Sequence, residues 1–229
     1  MASSVIVALD LESRRETLQV VRALGPQADF YKIGLQLLTL EGPGFVRELV
    51  AMGKQVFLDL KLHEIPNSVA GAVKAAGRSG AAMVSVHASG GATVMRAAVD
   101  AARGFDRLQV LALTVITSLG DADLQSIGLA PSVRDQVCRL AQLAAASGCD
   151  GVIASAQEAA YLADLLPNGS LIVTPGIQLA GAPGSDQSRV ATPDFARRSG
   201  ATHIVVGRAI THAADPAQAY AVVKTAFGL

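Results

Sequence analysis

Short aliphatic and β-branched runs alternate along this chain with longer stretches in which apolar residues recur every three or four positions. The short runs cover residues 5–9, 30–33, 55–61, 83–87, 109–115, 151–154, 171–174 and 203–206, and their length and composition predict eight strands. Residues 14–24, 44–52, 67–79, 92–103, 132–147, 157–165, 193–199 and 216–227 carry the helical period between and after them. Gly25, Gly53, Gly80, Gly104, Gly148 and Gly200 follow six of these helices, where a left-handed residue ends the last turn. Eight strand-helix units in succession predict an α/β chain folded as a (β/α)8 TIM barrel, one domain over residues 1–229. An open doubly wound sheet is the alternative, but no glycine-rich dinucleotide fingerprint follows the first strand.

One predicted strand departs from the apolar norm. In residues 55–61 the two-residue period sets Phe57, Asp59 and Lys61 on one face and Val56, Leu58 and Leu60 on the other. A carboxylate and an ammonium therefore point the same way, either into solvent or as a buried pair whose desolvation cost a reaction would explain. A structural ion pair in the barrel interior is the plainer reading of Asp59 and Lys61 taken alone.

Composition narrows the function classes. With 19 basic and 19 acidic residues the formal net charge is zero, which gives no broad basic surface for nucleic acid or membrane, so any anion has to be held locally. The N-terminal residues have no basic region before a short apolar run broken at Asp10, unlike a signal peptide or a membrane span. Cys138 and Cys149 are too few for a disulfide framework and lack metal-ligand spacing, which fits a cytoplasmic setting. His203 and His212 have no partners at ligand spacing either, so no metal is expected.

Polar residues at the C-terminal ends of barrel strands can be read together, because those ends form the active face. They are Asp10, Lys32, Asp59 with Lys61 and Glu64, His87, Thr117 with Ser118, and Gly207 with Arg208. Arg208 after the eighth strand suits a phosphate, against the bland reading of a surface ion pair. His87 reads as a hydrogen-bonded structural residue, and His63 as a residue that orients its loop. Two connections are long, residues 117–131 and 176–192; the second, with Gly176, Gly181, Pro183 and Gly184, reads as a substrate-covering segment or else an idle insertion.

These residues also carry a resemblance. Ala8-Leu9-Asp10, Lys32-Ile33-Gly34, residues 57–68, residues 86–91, Thr117-Ser118, residues 155–158, residues 173–177, Asp186-Gln187 and Val206-Gly207-Arg208 together resemble the orotidine 5′-phosphate decarboxylase family over nearly the whole chain. The resemblance implies decarboxylation of orotidine 5′-phosphate to UMP and CO2, the last step of de novo pyrimidine nucleotide synthesis, with no cofactor. It implies Lys61 as the ammonium that stabilises the C6 carbanion and protonates it. Asp59 would sit by the substrate carboxylate, and Lys32 and Asp10 would complete the charge network and hold ribose hydroxyls. Thr117 and Ser118 would contact the pyrimidine, and Gln187, Gly207 and Arg208 the phosphate. Glu64 and Ser68, with Ile65 between them, would reach the neighbouring subunit's site in a homodimer.

The chain departs from the family pattern at four positions. It has Glu64 where Asp is usual, Ser68 for Thr, Gln178 for Arg and Ala209 for Pro. Glu64 moves a carboxylate by roughly an ångström, a displacement that can cost on the order of 100-fold in rate. Gln178 removes a cation from the phosphate subsite. Two other functions remain in view: a related barrel using Mg²⁺ to stabilise an enediolate, and a barrel that binds pyrimidine nucleotides without catalysis.

Overall fold

A computed structural model describes residues 3–129, 132–179 and 190–229 of the chain. All eight predicted strands are present, and they close in sequence order into a parallel barrel: β1 (Ser4–Ala8), β2 (Phe30–Gly34), β3 (Gln55–Leu62), β4 (Met83–His87), β5 (Gln109–Leu113), β6 (Gly151–Ile153), β7 (Leu171–Thr174) and β8 (His203–Val206). Closure is made by β1 against β8, with Ser4 opposite His203 and Val7 opposite Val206.

Alternation along the strands divides the apolar side chains into two layers, as a barrel with a filled interior requires. Ile6, Ala8, Phe30, Phe57, Met83, Leu111, Leu113, Ile153, Leu171, Val173 and Val205 pack inside. Val5, Val7, Tyr31, Ile33, Val56, Leu58, Val84 and Val110 face outward into the layer shared with the helices. Burial of each Val, Leu, Ile, Phe or Met side chain among them contributes roughly 1.5–3 kcal/mol.

The helices are α1 (Arg14–Leu24), α2 (Leu35–Ala51), α3 (Pro66–Arg78), α4 (Ala92–Ala102), α5 (Asp121–Ser126), α6 (Val133–Ala146), α7 (Ala156–Leu165), α8 (Pro193–Arg198), α9 (Arg208–Thr211) and α10 (Pro216–Ala226). Side-chain caps set several starts. Ser13 accepts from the Glu16 N–H, Thr192 from Phe195 and Asp215 from Gln218, while the Glu158 carboxylate takes the Ser155 N–H at 2.8 Å. Five of the six glycines expected after helices have positive φ; Gly104 does not.

Three helical segments differ from the sequence expectation. Helix α2 begins at Leu35 rather than residue 44, and Gly42, at φ 68° and ψ −178°, separates its two parts. Helix α5 lies within the long connection over residues 117–131, where no helix was read, and α9 is a single extra turn directly after β8. Both are shorter than the span over which a 3.6-residue period can be recognised.

Candidate active site

The polar end of β3 is built by an irregularity. Opposite β4, Leu58 pairs with Val84 but Leu62 pairs with Val86, so three residues of β3 face the single residue Ser85. Within this bulge Lys61 has φ 49°, the one non-glycine positive φ among the described residues. A side chain there crowds its own backbone, so surrounding contacts have to hold it.

Those contacts form a chain of alternating charge at the C-terminal mouth of the barrel. Lys61 Nζ lies 2.8 Å from Asp59 Oδ2, Lys32 Nζ lies 3.7 Å from the same oxygen, and Lys32 Nζ donates to Asp10 Oδ1 at 2.9 Å. The side chains of Lys32 and Asp59 are only 10% and 11% exposed, whereas Lys61 and Asp10 open toward solvent at 36% and 55%. Asp59 and Lys61 thus point the same way, as the two-residue period predicts, and the face is the barrel mouth. Burial, the largest influence on Asp59, opposes its ionisation, but Lys61 and Lys32 together with hydrogen bonds from Lys61 and Ser85 outweigh it, and the carboxyl is held below its ordinary value. Gly34 supplies the room: it pairs with Asp59 across β2 and β3, and a Cβ on it would stand 3.0 Å from Asp10 Oδ1 and 3.2 Å from Lys32 Nζ.

Ser85 is a site residue that the sequence reading missed. It is fully buried on β4, donates to Asp59 Oδ1 at 2.9 Å and accepts the Lys61 backbone N–H at 2.8 Å. The available signal was a polar residue in the apolar run of residues 83–87, on the strand next to Asp59.

Nearby, the His63 and His87 rings stack with centroids 5.1 Å apart and planes at 25°. His87 Nδ1 accepts from the Ser89 N–H, and burial first, then His63 and Lys61, lower the His87 pKa below its ordinary value. The two rings thus pack on one another, His63 directly after β3 and His87 at the end of β4.

The other expected site residues take various places. Thr117 is buried and Ser118 exposed just beyond β5, and Gly207 with exposed Arg208 follows β8. Gln178 follows β7, its backbone N–H bonded to the Ala191 carbonyl at 2.9 Å. Glu64, Ile65 and Ser68 are exposed around the start of α3, with Ile65 63% exposed, and none joins the chain of charges. Gln187 and Asp186, with Gly181, Pro183 and Gly184, lie outside the described residues. Among the described residues no group of three or more His, Cys, Asp or Glu could hold a metal ion, and no helix is long and apolar enough to cross a membrane.

A closed parallel barrel with ammonium and carboxylate groups converging at its C-terminal strand ends places the chain among the (β/α)8-barrel enzymes. The family model described as Orotidine 5′-phosphate decarboxylase / HUMPS family matches residues 3–223. An orotidine 5′-phosphate decarboxylase of Alkalilimnicola ehrlichii is 48% identical over 220 residues, covering 96% of this chain and 94% of that protein. One from Sodalis glossinidius is 48% identical over 223 residues, covering 96% and 88%. The crystal structure of orotidine 5′-phosphate decarboxylase from Lactobacillus acidophilus superposes with a TM-score of 0.89 at 36% identity, covering 99% of this chain and all of that one. The chain belongs to the orotidine 5′-phosphate decarboxylase / HUMPS family.

Proposed function

We propose that this chain decarboxylates orotidine 5′-phosphate to UMP and CO2, the last step of de novo pyrimidine nucleotide synthesis, as a single-domain barrel acting without a cofactor. The observation that carries the reading is the continuous chain Asp10, Lys32, Asp59, Lys61 at the barrel mouth, in a protein of this family.

Loss of CO2 leaves an electron pair in the plane of the pyrimidine ring at C6, where the π system cannot delocalise it. A fixed cation placed before the reaction is the electrostatic answer, since no reorganisation is then needed as charge develops. Lys61 is that cation, and its Nζ delivers the proton that completes UMP. Asp59 holds Lys61 from one side and lies where the departing carboxylate sits, so two negative charges share the site before reaction. Lys32 and Asp10 hold the ribose hydroxyls and anchor the outer end of the network. Thr117 and Ser118 contact the pyrimidine. Gly207, Arg208, Gln187 and Gln178 form the phosphate end, and binding energy gathered there is spent at C6.

The exposure of Glu64, Ile65 and Ser68 at the start of α3 supports a homodimer in which these residues complete the partner's site. The zero net charge and the unpaired cysteines support a cytoplasmic protein that binds neither nucleic acid nor membrane.

The test is the ultraviolet absorbance change of orotidine 5′-phosphate with purified protein, with and without EDTA, alongside Glu64→Asp. Turnover unaffected by EDTA is expected. Silence of both proteins in the presence of tight UMP binding would replace the enzyme reading with a nucleotide-binding one, and loss of turnover on chelation would indicate metal chemistry.

A further inference from the structure

Resting on the decarboxylase reading, we propose that Ser85 is the positioning residue that fixes Lys61 and Asp59 relative to one another. Neighbouring parallel strands normally hold their residues by backbone ladder bonds. Here the ladder is interrupted where it matters, because Asp59, Leu60 and Lys61 bulge out between the Leu58–Val84 and Leu62–Val86 pairings. Ser85 sits alone opposite the bulge and spans it with one oxygen. Its hydroxyl hydrogen goes to Asp59 Oδ1 at 2.9 Å, and its lone pair takes the Lys61 N–H at 2.8 Å.

Both capacities of the hydroxyl are therefore used on the two residues whose mutual placement the chemistry requires. The Lys61 N–H bond substitutes for a ladder bond and helps secure the backbone at φ 49°. Asp59 Oδ2 is occupied by Lys61 Nζ and faces Lys32 Nζ, while Oδ1 receives Ser85. The carboxylate is thus fixed at both oxygens, which sets the plane of the group and through it the direction of the Lys61 ammonium. Ser85 itself is fully buried behind the pair, so it acts on substrate only through them.

Removing the hydroxyl leaves the part-buried Lys61 N–H without this partner and frees the carboxylate to rotate, and a displacement near an ångström costs on the order of 100-fold. Ser85→Ala is expected to lower kcat for orotidine 5′-phosphate by roughly 10- to 100-fold with KM changed less than about threefold. The acid limb of its kcat profile should move to higher pH, since ionised Asp59 has lost a donor. Ser85→Thr, which keeps a hydroxyl on the same Cβ, should restore most of the rate and the parental profile. A folded Ser85→Ala with parental kcat and pH profile overturns the proposal, as does a loss confined to KM or one that Ser85→Thr fails to recover. If Ser85→Ala does not fold, Ser85→Cys, close in volume but a weak hydrogen-bonding partner, takes its place with the same expectations. A parent protein that binds UMP but does not turn over orotidine 5′-phosphate would overturn the decarboxylase reading itself and this role with it.

Discussion

Gly34→Ala separates the geometry of the charged chain from the stability of the barrel. Gly34 has φ −90° and ψ −177°, extended backbone that alanine adopts without strain. Its new methyl would nevertheless lie 3.0 Å from Asp10 Oδ1, about 0.4 Å inside ordinary contact, and 3.2 Å from Lys32 Nζ. Those two atoms bond each other at 2.9 Å, so the methyl pushes on a pair rather than on one mobile tip. If rate falls on the order of 100-fold per ångström of displacement, a 0.4 Å shift costs about sixfold in kcat/KM. Stability should stay within about 1 kcal/mol of the parent, because the reduced freedom of the unfolded chain offsets the weaker alanine cap at the start of α2. Steady-state decarboxylation and urea unfolding on the same preparation read the two quantities. Parental kcat/KM would refute the reasoning by showing that half-exposed Asp10 swings aside and Lys32 does not need it, and a large loss of stability would show that the site beside Gly34 cannot yield.

Three further outcomes follow from the same structure. Lys61→Ala should reduce kcat by at least about 1000-fold, since on the proposed mechanism it removes both the preorganised cation and the proton donor, while UMP binding measured by calorimetry persists through the proposed phosphate end. Buried His203, its pKa lowered to about 4 chiefly by burial, is neutral in the folded state and titrates near 6.5 when unfolded; its contribution is full above pH 6.5 and fades as pH falls toward 4, a loss of about 3 kcal/mol that His203→Leu should abolish in urea unfolding at pH 7 and pH 4.5. The carboxylate of Asp59, with its pKa lowered, moves stability in the same direction but only below pH 4, so the two windows are distinguishable. Gln178→Arg should tighten UMP binding by adding a cation near the phosphate, and equal or weaker affinity would sink that placement.

The legible part of this fold was the part governed by continuous periodicity. Eight apolar runs of strand length could be read directly, and the alternation in β3 put Asp59 and Lys61 on one face because the bulge leaves their common direction intact. The opening of α2 was hidden by Gly42-Pro43-Gly44, which reads as a break and is one, although helix lies on both sides of it. Lys61 at positive φ had no signature in its own strand, and Ser85 showed only as a polar residue in an apolar run, since their pairing arises from a register mismatch between two strands. Exposure of Glu64 and Ser68 was likewise beyond reach of pattern, because a residue proposed to serve a neighbouring subunit looks like any surface residue in its own chain.

Closure of β1 on β8 also constrains how the molecule is born. The charged chain at the barrel mouth comes from residues 10–61 and the proposed phosphate end includes Gly207 and Arg208 after β8, so the proposed site draws on opposite ends of the chain. During synthesis the early strands leave the ribosome as an open sheet with a bare edge, and β1 waits for a partner almost two hundred residues away. Contacts of such sequence separation form late and slowly. No nascent fragment that stops short of β8 can therefore assemble a complete pocket, which leaves activity as a direct report that the ring has closed.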